Sequence, residues 1–464
     1  MLLGAPALAN AQAGTSDPTA QLLSDIIRIN TSNPPGRTQA LADLLTPRFR
    51  AAGFTVEVFQ TPDSAKVHFI ARLKGDGSKK PVLLAAHADV VGVERKKWTL
   101  DPFAGEIRDG HVYGRGAIDF KGGLAVFAMA ALRLAERKVP LARDVIFMAE
   151  ADEEGAPMNT SWLAKDHWSS MDAEFALNEG GWIIKGDDGR VRYVSISTAD
   201  KTTASIILTS KGTSTHSSMP LADNALASLG AAVAKLAAYE APVQFTTESR
   251  QFFRTLGTTS TGDTARWFRQ LVDGTPTESR SADSLISRDP LLHAIMRNTI
   301  APVIMNGGFR SNVIPGSAEA TINVRLIPGT DPASVVTLVE RIVNDPRVSV
   351  KLGGASPFPG PPVSPLETEL YQTLAREARV QWPTAEVTPY LFQAGTDAGA
   401  WRSRGVPVYG IYPYPITNDE LRRMHGNDER VSVASLQQGT EMIYRTLVSV
   451  AGKGEARRRS ARQD

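Results

Sequence analysis

Cysteine is absent from the 464 residues of the chain. This absence excludes disulfide frameworks, thiolate metal sites and cysteine nucleophiles. An excess of one charge is also missing, because 51 Lys and Arg residues against 49 Asp and Glu residues leave a formal charge of +2. That balance argues against a dedicated nucleic-acid binder. Apolar residues make up 42% and charged residues 22%, which is an ordinary globular composition and argues against disorder of the bulk.

Long hydrophobic runs are missing as well. The longest, 122–132, stops at Arg133, well short of the roughly 20 residues that a membrane helix needs. Residues 1–13 are apolar and Ala-rich and end in small residues with the spacing of an export-signal cleavage site, although a basic n-region is missing. We therefore expect an export signal and a periplasmic or secreted protein. The alternative is a disordered Ala-rich terminus on a cytoplasmic protein.

Predicted strands and helices alternate over the first 200 residues. Short apolar runs predict buried strands, and a long Ala- and Leu-rich segment predicts a buried helix. Alternation of this kind predicts an α/β fold with a layered sheet. The predicted strands are 54–59, 68–73, 81–86, 144–149 and 174–177, and the helix is 122–137.

The pattern changes near residue 200 and predicts a smaller α+β domain with one sheet face covered. Its predicted strands are 203–210, 318–326 and 348–352, and its helices are 224–239 and 332–344. The polar stretch 246–289 is expected to be irregular. The proline-rich stretch 357–365 predicts a linker back to the larger domain, which resumes with a helix at 367–380, a strand at 406–411 and a helix at 433–451. The smaller domain is thus predicted to be inserted into the larger one.

Clusters of acidic and histidine residues follow the ends of the predicted buried strands. In open α/β sheets, ligands bind at the carboxyl ends of strands. A histidine with several carboxylates suits zinc, with manganese or cobalt as alternatives. Each cluster alone has an ordinary explanation as a core histidine, a solvated turn or a flexible loop, so the ordered set carries the argument. Its members are His87, Asp89, Asp119, Asp152, Glu153, Glu154 and Glu179.

In this order, the clusters resemble the M20 family of co-catalytic metallohydrolases, which includes glutamate carboxypeptidase, the carboxypeptidase S type, aminoacylase-1 and succinyl-diaminopimelate desuccinylase. The resemblance runs from about Thr19 to Leu447. It implies a zinc-peptidase-like mixed sheet with helices on both faces and an inserted α+β lid or dimerisation domain. It also implies a homodimer formed through the lid. The implied division is 1–13 as a possible signal peptide, 14–199 and 357–464 as the two parts of the catalytic domain, and 200–356 as the lid.

The resemblance also implies roles for the clustered residues and for His425, which lies in a polar loop before the last helix. Two divalent ions, most simply zinc, would be held by His87, Asp119, Glu154, Glu179 and His425, with Asp119 bridging. Asp89 would orient the imidazole of His87. Glu153 would be the general base that activates a water bridging the two metals.

Further site residues are implied in the lid and in the loop 395–399. His216, in the segment 212–220, resembles the family histidine that reaches the partner's active site and helps to hold the oxyanion. Asn312 matches an oxyanion or substrate contact. Arg325 matches a ligand for the substrate carboxylate, and main-chain N–H groups at Gly395 and Thr396 could hold the same carboxylate.

The expected activity is hydrolysis of a peptide or N-acyl bond next to a free carboxylate, with release of an amino acid. The Glu-Gly-Gly segment at Glu179 favours the carboxypeptidase S and N-acyl-amino-acid hydrolase group within the family. Alternatives are an aminoacylase, a desuccinylase or deacetylase, and a non-catalytic binding protein on the same fold. A serine hydrolase is disfavoured because the chain has no G-x-S-x-G segment.

Overall fold

A computed structural model describes residues 17–355 and 362–454. The expected export signal at 1–13, part of the expected linker and the arginines at 457–459 lie outside the described residues. Within the described ranges, no helix is both long enough and apolar enough to cross a membrane. The chain divides into two compact units. The first comprises Met1–Arg192, Glu369–Ala385 and Tyr412–Asp464, and the second comprises Tyr193–Thr368 and Glu386–Ile411.

The first stretch of the chain, up to the end of the ninth strand, belongs to the first unit. Its elements are α1 Pro18–Ile27, β1 Ser32–Asn33, α2 Gln39–Ala51, β2 Thr55–Gln60, β3 Val67–Leu73, β4 Val82–His87, β5 Val90–Val91, β6 Ile107–Arg108, β7 His111–Tyr113, α3 Lys121–Glu136, β8 Val145–Glu150, α4 Thr160–Asp166, α5 Trp168–Met171 and β9 Phe175–Lys185. A 3₁₀ helix spans Arg95–Lys97.

The next stretch forms most of the second unit. Its elements are β10 Val191–Asp200, β11 Thr202–Lys211, β12 Thr215–His216, α6 Ala225–Ala237, α7 Thr247–Thr259, α8 Gly262–Asp273, α9 Pro276–Ile286, α10 Pro290–Ile295, β13 Thr299–Gly307, β14 Val313–Ile314, β15 Ser317–Leu326, α11 Pro332–Val343 and β16 Val348–Ala355. The remaining elements are α12 Glu369–Gln381, β17 Glu386–Phe392, α13 Gly399–Arg402, β18 Val408–Ile416, α14 Asn418–Leu421, β19 Arg430–Ser432 and α15 Val433–Ala451.

The first unit is built on a mixed sheet with the strand order β2-β3-β8-β4-β9. Strands β2, β3 and β8 pair antiparallel, whereas β4 runs parallel to both β8 and β9. The carboxyl ends of β4 and β8 therefore meet, with His87 opposite Glu150. Helix α3 contacts both strands and is buried on nearly all sides because it is apolar all round. This mixed α/β architecture is the predicted fold class.

The second unit contains a four-stranded antiparallel sheet with the order β13-β15-β11-β16. Alternate residues of β11 and β15 are buried, and helices α6 and α11 share a core with that face. The alternation of apolar and polar residues along β11 and β15 predicts this covered face. The same unit holds β10 and β17 as a parallel pair.

The expectation that 246–289 is irregular is wrong, since this stretch forms the whole of α7, α8 and α9. These helices are short and amphipathic, so each buries only a narrow stripe and looks polar overall. In α7 the stripe includes Phe252 and Phe253, and Phe252 packs edge-on against Tyr193 and Tyr390. A sequence signal was available, because Thr275 and Glu278 form a capping box at the start of α9.

Candidate metal centre

The predicted ligands of the first unit lie at or near the carboxyl ends of its parallel strands. His87 is the last residue of β4, and Glu154 lies in the loop directly after β8. Asp119 immediately precedes Phe120, the residue before α3. A Cβ on Gly122 would lie 2.2 Å from the carbonyl oxygen of Ala117, so this tight turn requires glycine. Glu179 is inside β9 rather than after it, because that strand continues to Lys185.

Asp119 lies between two histidines. One carboxylate oxygen, Oδ1, is 3.1 Å from Nε2 of His87, and the other, Oδ2, is 2.9 Å from Nε2 of His425. Each histidine also adjoins one further carboxylate. Glu179 Oε2 is 3.6 Å from His87 Nε2, and Glu154 Oε1 is 3.1 Å from His425 Nε2. The five residues predicted as metal ligands are thus brought together, with Asp119 in the middle.

Two overlapping groups of donor atoms lie close enough to hold a metal ion. His87, Asp119 and Glu154 form one group, and His87, Glu153 and Glu179 form the other, with ligand atoms within 4.8 Å of one another in each. Imidazole and carboxylate donors without a thiolate are a set that zinc, manganese and cobalt accept. The donor chemistry therefore fits the divalent ions that the sequence predicts.

Charge coupling among these groups is strong. Burial disfavours the charged form of His87, but the adjacent Glu179 and Asp119 carboxylates outweigh it and raise its pKa well above the usual value. Hydrogen bonding to Asp119 and Glu154 raises the pKa of His425 to about 10. Burial raises the pKa of Glu179 to about 7, with His87 opposing that rise. Because metal ions compete with protons for these donor atoms, binding would be pH-dependent.

Asp89 makes a different contact from the expected one. Nδ1 of His87 bonds the main-chain carbonyl of Asp89 at 2.9 Å, and the nearest oxygen of its carboxylate is 3.9 Å away. The buried carboxylate instead accepts from the main-chain N–H groups of Glu153 and Glu154, each at 3.2 Å, and from Nδ2 of Asn33 at 2.8 Å. Asp89 therefore orients the imidazole through its backbone and holds the Glu153 loop through its side chain.

A buried ion pair joins the two loops that carry Asp119 and His425. Nη1 of Arg115 donates to Glu429 at 2.6 Å, and Nη2 donates to the carbonyl of Gly426 at 2.8 Å. The Glu429 carboxylate also accepts from the main-chain N–H groups of Ile118 and Asp119 at 2.7 and 3.0 Å. Sequence reasoning assigned Glu429 no role, although it lies only four residues beyond His425.

A second residue without a predicted role is Tyr412. Its hydroxyl lies 3.0 Å from Asp119 Oδ1 and 2.9 Å from Glu179 Oε2. Its ring is buried and stacks on Trp182 at 4.2 Å. Burial, reinforced by the two carboxylates, raises the pKa of its hydroxyl well above the usual value. Every residue of β18 is buried, so no alternation in the sequence marks Tyr412.

In the second unit, His216 and Asn312 lie side by side. His216 is the last residue of β12, and Asn312 directly precedes β14, the strand that pairs with β12. Ser217 N donates to the Asn312 carbonyl at 3.0 Å, and both predicted residues are exposed. Nδ1 of His216 lies 3.2 Å from the main-chain N–H of Ser218. Since that N–H can only donate, Nδ1 accepts and the proton of the neutral ring is on Nε2.

Arg325 and Gly395 are also close together in the second unit. Nη1 of Arg325 donates to Thr203 at 2.6 Å and lies 3.7 Å from where a Cβ of Gly395 would be. The Thr396 hydroxyl is engaged by Asp200 at 2.6 Å, which leaves only its main chain for a ligand. Nearby Lys201 is buried, and its burial, together with the charge of Arg325, lowers its pKa to about 7. This group of basic residues and backbone fits a carboxylate.

These features define a metallohydrolase of the M20 class. The sequence profile of Peptidase family M20/M25/M40 matches residues 83–449, and the chain belongs to this family. It is therefore an enzyme of the family's peptidase and hydrolase type. The resemblance seen in the sequence and the mixed α/β fold are both confirmed.

Named relatives cover most of the chain. A probable carboxypeptidase S-like 2 protein of Dictyostelium discoideum is 30% identical over 379 residues, which are 80% of this chain and 72% of that protein. The human N-fatty-acyl-amino acid synthase/hydrolase PM20D1 is 29% identical over 399 residues, which are 82% and 76% of the two chains.

Solved structures share the fold at lower sequence identity. An M20 family metallo-carboxypeptidase from Sulfolobus solfataricus superposes with a TM-score of 0.70 at 17% identity and covers 94% of this chain and 99% of that one. A Bacillus subtilis protein described as a dinuclear metal binding peptidase from the M20 family gives a TM-score of 0.58 at 13% identity, with coverage of 93% and 96%.

Proposed function

We propose that the protein is a two-metal amide hydrolase of the metallocarboxypeptidase type. It would release a C-terminal amino acid from a peptide or an N-acyl amino acid. The observation that carries this proposal is the placement of Asp119 between His87 and His425, with one carboxylate oxygen within 3.1 Å of each ring. A carboxylate shared by two histidines, each beside a further acid, is a donor set for two ions.

The division of donors follows from these contacts. His87 and Glu179 would hold one ion, Glu154 and His425 the other, and Asp119 both. The donor set suits zinc, with manganese or cobalt as alternatives. Divalent ions bound there would polarise the scissile carbonyl and lower the pKa of water towards neutrality.

Glu153 is assigned as the general base. It belongs to the donor group with His87 and Glu179, and it is half-buried on the loop that Asp89 holds. It would accept a proton from the attacking water and deliver it to the leaving amine. Proton transfer of this kind accelerates a reaction by about 10²–10⁴-fold. The Nε2–H of His216, with Asn312 beside it, is assigned to the partner's active site in a dimer, where it would stabilise the oxyanion.

The group around Arg325 is assigned to the free carboxylate of the substrate. The guanidinium and the main-chain N–H groups of Gly395 and Thr396 would bind it. This assignment would make the enzyme select substrates that carry a free carboxylate.

A second candidate is hydrolysis of N-acyl amino acids rather than peptides, which is supported by the PM20D1 relative, named an N-fatty-acyl-amino acid synthase/hydrolase. Both substrates present an amide beside a free carboxylate, so the same residues serve either. We also propose a homodimer through the lid, residues 200–356, as the family resemblance implies. An export signal at residues 1–13 would place the enzyme in the periplasm or outside the cell.

The test is amino-acid release from a panel of N-acyl amino acids and carboxybenzoyl dipeptides. The purified enzyme is stripped with a chelator and then supplied with zinc, manganese or cobalt. Release that vanishes on chelation and returns with metal is expected, and the preferred substrate separates the two candidates. Full release from protein shown by elemental analysis to be metal-free would overturn the proposal.

A further inference from the structure

His68 is fully buried on strand β3 and contacts both ends of one loop. Its Nδ1 lies 3.2 Å from the main-chain N–H of Ala151, and its Nε2 lies 2.8 Å from the carbonyl oxygen of Met158. An amide N–H can only donate and a carbonyl can only accept. The neutral imidazole with its proton on Nε2 therefore satisfies both contacts at once.

The loop between these two contacts, residues 151–158, carries Glu153 and Glu154. Its backbone is unusual, since Asp152 has a φ of 68° and Ala156 a φ of 40°, a region that residues other than glycine seldom occupy. Such a conformation persists only when surrounding contacts impose it. Anchors on the loop are therefore needed to hold Glu153 and Glu154 in place.

Other side chains also anchor the loop. The carboxylate of Asp152 accepts from the main-chain N–H of Met158 at 2.7 Å and from Lys66 at 2.6 Å. Asp89 accepts from the N–H groups of Glu153 and Glu154. His68 differs because it lies outside the loop, on strand β3, and its one rigid ring contacts both loop ends from there. Trp162 lies parallel to that ring, with centroids 5.9 Å apart.

We propose that His68 is a positioning residue for the reaction: its neutral ring clamps residues 151 and 158 and so fixes the directions of Glu153 and Glu154. This inference rests on the proposed function for its catalytic consequence, but the clamp itself can be measured without substrate. Burial lowers the pKa of His68 to about 4, with neighbouring Asp152 and His167 acting in opposite directions. The ring is thus neutral over the range in which the enzyme would work.

The test compares three substitutions of His68 with a control on the same strand. H68N places an acceptor near the Nδ1 position, H68Q places a donor near the Nε2 position, and H68L removes both. The control is I70A, which makes a cavity at another buried position of β3 without a side-chain bond to the loop. Hydrogen–deuterium exchange of peptides covering 151–158 is measured with and without zinc, together with kcat, KM and zinc content.

We expect faster exchange of the loop in H68L than in I70A, by about tenfold, and a fall in kcat of at least tenfold with KM within twofold. H68N and H68Q should lie between H68L and the unchanged enzyme. A folded H68L variant whose loop exchanges like that of I70A would overturn the clamp. If H68L does not fold, an H68Q variant whose loop exchanges no faster than that of the unchanged enzyme would overturn it. Faster loop exchange in H68L with an unaltered kcat would overturn the link between the clamp and the reaction. If the enzyme without substitutions hydrolyses no substrate, the proposed function alone is wrong.

Discussion

The hydroxyl of Tyr412 lies 2.9 Å from a carboxylate oxygen of Glu179. The same hydroxyl is 3.0 Å from Asp119, so a single buried phenol contacts two of the five candidate ligands. Partners of this kind orient a ligand and tune its basicity, and their loss typically weakens metal affinity by about 10–100-fold.

Replacing Tyr412 by phenylalanine should therefore raise the dissociation constant for zinc by about tenfold while keeping the ring that packs on Trp182. The measurement is competition with a chelator of known affinity. Y409F on the same strand is the matched control, because the Tyr409 hydroxyl bonds Thr368 and the Pro365 carbonyl rather than a candidate ligand. Equal zinc affinity in Y412F and Y409F would contradict this role.

Replacing Glu153 by glutamine removes the proposed base and keeps its size. We expect kcat to fall by about 10²–10⁴-fold, with two equivalents of metal still bound. Steady-state hydrolysis and elemental analysis check this expectation. E57Q, which changes an exposed glutamate on β2, should leave both quantities unchanged. Activity of E153Q within tenfold of the starting enzyme would remove Glu153 from the mechanism.

Replacing Glu429 by glutamine should destabilise the first unit. The change leaves Arg115 buried without its charged partner and turns an amide group towards main-chain N–H donors. Breaking a buried pair in this way typically costs about 3–5 kcal/mol. Urea unfolding measures the loss. D273N breaks an exposed pair with Arg254 and should shift the unfolding midpoint far less, so similar shifts in the two variants would refute the expectation.

Replacing Arg325 by methionine should raise KM for substrates with a free carboxylate by about 10–100-fold, because a charge-assisted hydrogen bond contributes about 1.5–3 kcal/mol. Methyl esters of the same substrates cannot make that contact fully and should be much less affected. The comparison of KM for acid and ester checks the assignment. R341M, on an exposed part of α11, is the control. An equal change for acid and ester would place Arg325 in a structural role.

His68 predicts an acid limit to stability. Its pKa is about 4 in the folded protein against 6.5 in the unfolded chain. The unfolded state therefore binds the proton first as pH falls, and stability is lost between about pH 6.5 and pH 4. The loss attributable to this residue is up to about 3 kcal/mol. Between pH 7 and pH 5, the urea midpoint should therefore fall further in the starting protein than in H68L. Titration of the other histidines is common to both proteins, so the difference reports on His68.

Local sequence patterns were sufficient for many of the elements. Helix α15 spans the predicted residues 433–451, and α3 is displaced from its prediction by only one residue at each end. The strands β10, β13 and β17 were not predicted. Most of β13 is exposed, and its apolar run 300–305 is interrupted by Pro302, which argues against a strand.

The sequence by itself determined which residue types could form a metal site, because histidines and acids cluster near the ends of predicted buried strands, where the carboxyl ends of parallel strands meet. It also determined the family, through the order of those residues. Only the tertiary structure decided that Asp119 lies between His87 and His425, which are 338 positions apart. It likewise decided the partners of these ligands: Tyr412, Glu429 and His68 are buried residues that no periodic pattern distinguishes from ordinary core, and their roles depend on atoms brought within about 3 Å from distant parts of the chain.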